Sequence, residues 1–232
     1  MGNPALRDRQ IELSKLGFYP VTEIDGDPGP LTRRAEDAYH ASMLPRVAGD
    51  LRAIGKRIVD AAWNFANLTE TAQNARWDDL ATPGPDAAAS ELRRLLLETG
   101  WQLGWAYCAA LAEVCWRIGY SGRAELAEVC KLITPSVMDT FTNFKRLGMI
   151  TRDPLPGALG FMQHGTSWQG HMFIVAQPPV SARVATLEGN TTPGPSSAAQ
   201  DRAGDGCYSK MRTLNFERSS LTLLGFANPF VR

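Results

Sequence analysis

LGFMQHG (159–165), GHMFIVAQ (170–177), RVATLEGNT (183–191), YSKMRTLNF (208–216) and LTLLGFA (221–227) follow one another in the last third of the chain. Each is short, rich in Val, Ile, Thr and Phe, and bounded by Gly, Pro, Ser or Asn, the composition of strands between turns. Upstream the texture is helical. In LRAIGKRIVDAAWNFA (51–66), Leu51, Ile54, Ile58, Ala62 and Phe65 recur at helical spacing. ATPGPD (81–86) breaks the chain, and AAASELRRLLLETGWQLGWAYCAALAEVCWRIGY (87–120) then reads as two helices separated near Gly100 to Gly104. Helices first and strands afterwards predict an α+β domain with helices packed on an antiparallel sheet. TTPGPSSAAQDRAGDG (191–206), between two of the strands, is a flexible surface loop by composition.

The first segment, residues 3–45, reads as a separate small helical module, with residues 50–232 as the larger domain. Leu6, Ile11, Leu13 and Leu16 give its first helix an apolar face, and Gly17 stands where that helix would stop. IDGDPGPLT then leads into RRAEDAYHASM, a second helix that Pro30 or Thr32 could open. Pro45 and Gly49 punctuate the chain before the next helix.

Composition removes several functions. Lys plus Arg total 24 and Asp plus Glu total 24, so no global field favours nucleic acid. Residues 101–232 carry only a slight basic excess. No stretch approaches the ~20 apolar residues that cross a bilayer, and MGNPALRDRQIEL lacks the apolar segment of a signal peptide. A monomer made in the cytoplasm is expected. The four cysteines, Cys108, Cys115, Cys130 and Cys207, include no CxxC pair, so reduced thiols are the default.

A thiol with a pKa of about 8.5 needs a helix N-terminus and a nearby imidazole to become a nucleophile. Cys108 can have both. A helix beginning around Trp105 or Ala106 would place its sulfur near unpaired N–H groups and the positive end of the macrodipole. His171 follows Gly170 and opens the run MFIV, at the start of a central strand. Glu188 or Asn190, in the next strand, can take its other ring nitrogen. Of the remaining histidines, His40 reads as a surface residue and His164 as part of a turn. Cys115, seven residues after Cys108, reads as core. Trp101, Trp105 and Trp168 are candidates for a substrate groove.

The order of WAYCAAL, GHMFIV and LEGNT resembles the CHAP amidase/peptidase group, a branch of the papain-like NlpC superfamily found in phage endolysins and bacterial autolysins. PGALGFMQHG is similar to that family's PGD-type strand opening, and LGFANPF to its closing strand. The resemblance spans residues 50–232. It implies a papain-like fold and cleavage of a peptidoglycan amide bond, either muramoyl to L-alanine or within the peptides. It further implies Cys108 as nucleophile, His171 as general base and later acid, and Glu188 as the group orienting the imidazole. Asn190, two residues on and on the same strand face, would support it or the oxyanion. Tyr107 stands where the family has Trp and would form one wall of the cleft. No Asp-rich loop precedes Cys108, so neither metal nor cofactor is expected.

QIELSKLGFY with IDGDPGPLTRRAEDAY resembles the peptidoglycan-binding repeat, in which Asp25 and Gly26 would shape a loop that meets glycan or stem peptide. The repeat's final portion is replaced here by LPRVAGDLRAI. Together the resemblances imply an endolysin-like hydrolase acting at the bacterial wall. The competing expectations are an inactive wall-binding protein and a thiol-dependent toxin or transferase.

Overall fold

The computed structural model describes residues 3–15, 19–81, 86–193, 204–217 and 219–231, with the backbone alone at 39–46. Leu16, Gly17, the His40 side chain and most of the 191–206 segment therefore lie outside the described residues. Contacts divide the chain into two compact units, 1–51 and 52–232.

In the smaller unit, helix α1 (Pro4–Lys15) and the start of α2 (Pro30–Trp63) enclose a core of Leu13, Tyr19 and Ala35, with Ile24 against it. The most buried position of α1 besides Leu13 is polar. Gln10 is fully buried, and its Oε1 accepts from the backbone N–H of Asp25 (3.1 Å) and Gly26 (2.7 Å). Its Nε2 donates to Asp25 Oδ1 (3.0 Å), Thr32 Oγ1 (2.9 Å) and the Asp27 carbonyl (3.1 Å). One amide thus satisfies the polar groups of the turn that a core this small could not otherwise bury.

The expected break at Pro45 and Gly49 does not occur, because α2 runs unbroken for 34 residues. A proline inside a helix forfeits one hydrogen bond, a cost of about 3 kcal/mol that good helix formers on both sides can absorb.

The larger unit is α+β. An eight-stranded sheet, antiparallel at every pairing, has the order β2-β1-β7-β6-β5-β4-β8-β3. Its strands are β1 (Thr69–Ala72), β2 (Arg76–Asp78), β3 (Ile150–Thr151), β4 (Leu159–His164), β5 (Gly170–Val175), β6 (Arg183–Thr191), β7 (Gly206–Thr213) and β8 (Leu221–Ala227). Helices α3 (Ala87–Glu98), α4 (Cys108–Gly119), α5 (Leu126–Leu132) and α6 (Val137–Arg146) complete it. The strands β4 to β8 occupy the five segments read from sequence. β1, β2 and β3 are additions, each of four residues or fewer and too short to show alternation.

α4 is the central helix. Ten of its twelve residues are buried, because β5 and β6 lie on one side and α3 and α5 on the other. Its small residues Ala109, Ala110 and Ala112 let it approach the sheet. Met172, Ile174 and Leu187 pack in the same core as α4, while Phe173, Val175 and Val184 form a second core with Phe226 and Leu223. β5 and β6 register only at Ile174↔Leu187 and Val175↔Thr186 and part towards His171 and Gly189. The first turn of α4 faces that parting. No helix among the described residues is long and apolar enough to cross a membrane.

Candidate active site

Cys108 is the first residue of α4, two or three positions later than the sequence suggests. The delay has a local cause. Trp101 Nε1 donates to the Trp105 carbonyl (3.0 Å) and the Gly104 N–H to the Asn74 carbonyl (2.9 Å), with Gly104 at φ +88°. These bonds hold residues 101–106 as a turn. The sulfur consequently sits in the first turn, with the backbone N–H groups of Ala109 and Met172 directed at it.

Tyr107 does not line the cleft. It is fully buried, with its ring edge-on to Trp77 at 5.0 Å and to Trp101 at 6.5 Å. The N-cap position turns its side chain inward, so the residue anchors the helix start and offers substrate nothing. Trp101 is likewise core.

His171 is fully buried at the head of β5. The preceding Gly170 is required there, since a Cβ would lie 2.6 Å from the Met162 carbonyl and 2.7 Å from Val137 Cγ1. Nε2 meets Glu188 Oε2 at 2.8 Å. Nδ1 is thereby the nitrogen left for Cys108; it makes no close hydrogen bond, but thiol and ring lie near enough to shift each other's titration.

Glu188 is held by three side chains, His171, Thr186 and Arg212. Oε1 accepts from Thr186 Oγ1 (2.5 Å) and Arg212 Nε (2.8 Å), while Oε2 accepts from Arg212 Nη2 (2.5 Å) as well as facing His171. Arg212 and Thr186 were not singled out by sequence. Only the β6–β7 register, with Lys210 opposite Thr186 and Arg212 opposite Val184, brings them alongside Glu188.

These contacts decide the ionisation. Burial alone would raise the Cys108 thiol, but the imidazole and the two amides outweigh it and leave it lowered. Burial would lower His171, yet Cys108 and Glu188 push it up to about 10. Glu188, despite burial, is held well below the usual carboxylate range by Arg212 first and His171 second. The three directions agree on a thiolate beside an imidazolium backed by a carboxylate. Cys207, as buried as Cys108 but without an imidazole, is pushed up to about 12. Cys115 is raised further, as a core thiol should be.

Cys108 opens onto a cleft of about 330 Å³, whose walls include Asn74, Ser136, His164, Trp168, Gln169 and Asn190. Asn190 reaches it by a bulge, not by alternation. Glu188 pairs with Tyr208 but Thr191 with Gly206, so β6 carries one extra residue here, and Asn190 adopts the left-handed φ of +56° that asparagine tolerates. Trp168 is 78% exposed at the rim. Trp105 is exposed between the lining residues Gly104 and Ala106 without lining the cleft itself. His164 ends a strand instead of lying in a turn, and it too faces the cleft.

Asp25 and Gly26 belong to the smaller unit, where both are tied to Gln10. Gly26 is buried at φ +77°, and the Asp25 carboxylate caps its own turn by accepting from the Asp27 N–H (2.8 Å). Their visible role is to shape the loop. Among the described residues no group of three or more His, Cys, Asp or Glu side chains gathers as metal ligands. No family model matches the chain, and no curated protein matches it.

Proposed function

We propose that the chain is a cysteine-dependent peptidoglycan hydrolase, an N-acetylmuramoyl-L-alanine amidase or endopeptidase of the CHAP type. The observation that carries the cysteine chemistry is the lowered thiol of Cys108 beside the raised imidazole of His171, at the mouth of a cleft. The wall substrate rests on the resemblance of WAYCAAL, GHMFIV and LEGNT to that family, and on the repeat-like motif in the smaller unit.

In this reading the Cys108 thiolate attacks the amide carbonyl, and the carbonyl electrons move to oxygen. Backbone N–H groups at the start of α4, with Asn190, stabilise the oxyanion. Collapse expels the amine, which takes the proton from His171 as it leaves, and forms a thioester on Cys108. His171, now neutral, then removes a proton from water. The hydroxide displaces the thiolate, releasing the carboxylic acid. Glu188 keeps the ring in place throughout and stabilises its charged form. The site of action is the bacterial wall, as for an endolysin.

The test is digestion of purified sacculi followed by mass spectrometry of the muropeptides. New amino or carboxyl termini at one bond type, lost in Cys108→Ala and Cys108→Ser variants of unchanged circular dichroism, support the proposal. Undiminished clearance by the alanine variant overturns it.

A further inference from the structure

The charged groups facing one another behind the cleft are Cys108 on α4, His171 on β5, Glu188 on β6 and Arg212 on β7. A thiolate, an imidazolium and a carboxylate alone leave this buried site with one surplus negative charge. Little solvent reaches the three groups to disperse it, since Cys108, His171 and Glu188 are each 6% exposed or less. A surplus buried charge is relieved by retaining a proton, and a thiol is the most reluctant acid of the three. The Arg212 guanidinium brings the sum to zero, and its two N–H groups address the two oxygens of Glu188 separately.

We infer that Arg212 is a positioning residue for catalysis, which acts through Glu188 and His171 to make the Cys108 thiolate stable near neutral pH. This rests on the cysteine chemistry proposed above. Among the described residues Lys210, two positions before Arg212 on β7, directs its Nζ to the Thr192 carbonyl (2.9 Å) and Thr191 Oγ1 (3.3 Å). Arg212 also lines a second groove of about 660 Å³, with Thr186 and Met162, so a small cation has a route to its position.

The experiment is the pH profile of Cys108 alkylation by iodoacetamide, with the labelled site read by peptide mass spectrometry. In the unaltered protein the midpoint should lie well below the ~8.5 of a free thiol. Arg212→Ala should raise it by one unit or more while leaving the high-pH plateau rate within twofold, and guanidinium ion at millimolar concentration should lower it again. A merely structural role would depress the plateau and would not respond to guanidinium. Arg212→Gln, nearer in size and neutral, replaces the alanine variant if that fails to fold; Arg212→Lys, which keeps the charge, should hold the midpoint near the original. An unchanged midpoint in the neutral variants overturns this inference alone. An ordinary midpoint in the unaltered protein overturns the cysteine chemistry itself.

Discussion

Gly189 and Leu111 touch where β6 meets α4, and a Cβ on Gly189 would lie 2.7 Å from Leu111 Cδ2 and 3.0 Å from Tyr107 Cε2. A strand so close to a helix fixes how far the first turn of that helix sits from the sheet. Gly189→Ala should therefore force α4 outward. Overpacking of this kind costs ~1–3 kcal/mol. Denaturant melts should show that loss, and Cys108 alkylation at pH 7 should slow along with it.

The Tyr107 ring, not its hydroxyl, is what holds the start of α4. Tyr107→Phe should retain near-normal stability and an unchanged rate of Cys108 alkylation. Tyr107→Ala should cost ~3–5 kcal/mol by analogy with other buried aromatic truncations. Equal destabilisation by the two, in chemical denaturation, would show that the aromatic cluster is not the anchor.

His171 and Glu188 predict how stability depends on pH. Glu188 is lowered in the folded state, so its contribution is present above the ~4.3 of a free glutamate and drains away as pH falls. His171 is raised to about 10, so its contribution is complete below ~6.5 and is lost as pH rises to that value. The lowered Cys108 opposes this loss by gaining as pH rises towards the ~8.5 of a free thiol, so the alkaline fall is clearest above that value. Urea melts across pH should give a plateau with two shoulders. Glu188→Gln should flatten the acid one, and His171→Ala the alkaline one.

Trp168 offers a contrasting case. At 78% exposure it contributes little to folding, so Trp168→Ala should change stability by no more than ~0.5 kcal/mol. On the proposed wall-hydrolase reading, its position on the cleft rim predicts a severalfold rise in KM for solubilised wall fragments, with kcat within about twofold. A loss confined to kcat would place it elsewhere in the reaction.

Much of this arrangement could be read in the residues. The strands from 159 onward announced themselves by composition, and Cys108 and His171 stood out by type, order and spacing, while the choice of Glu188 over Asn190 came from the family resemblance. What escaped had physical reasons. Arg212 looks like any outward charge on a strand until the β6–β7 register is known. Tyr107 beside Cys108 suggests a wall of the cleft, but an N-cap residue leaves the helix in a different direction from the one that follows it. Pro45 and Gly49 signal a break only when the flanking sequence is a weak helix former, and here it is not. Asn190 was placed by counting in twos, which fails across a bulge.

The sparse ladder between β5 and β6 has a further meaning. With two registered pairs joining them, the strands β2, β1, β7 and β6 form one half of the sheet and β5, β4, β8 and β3 the other, meeting at the β5–β6 border. His171 belongs to the second half, Glu188 and Arg212 to the first, and Cys108 to the rod laid across both. The His171–Glu188 pair thus also ties β5 to β6 beyond their two registered positions. Separating β5 from β6 would therefore part His171 from Glu188, which meet at 2.8 Å across that border.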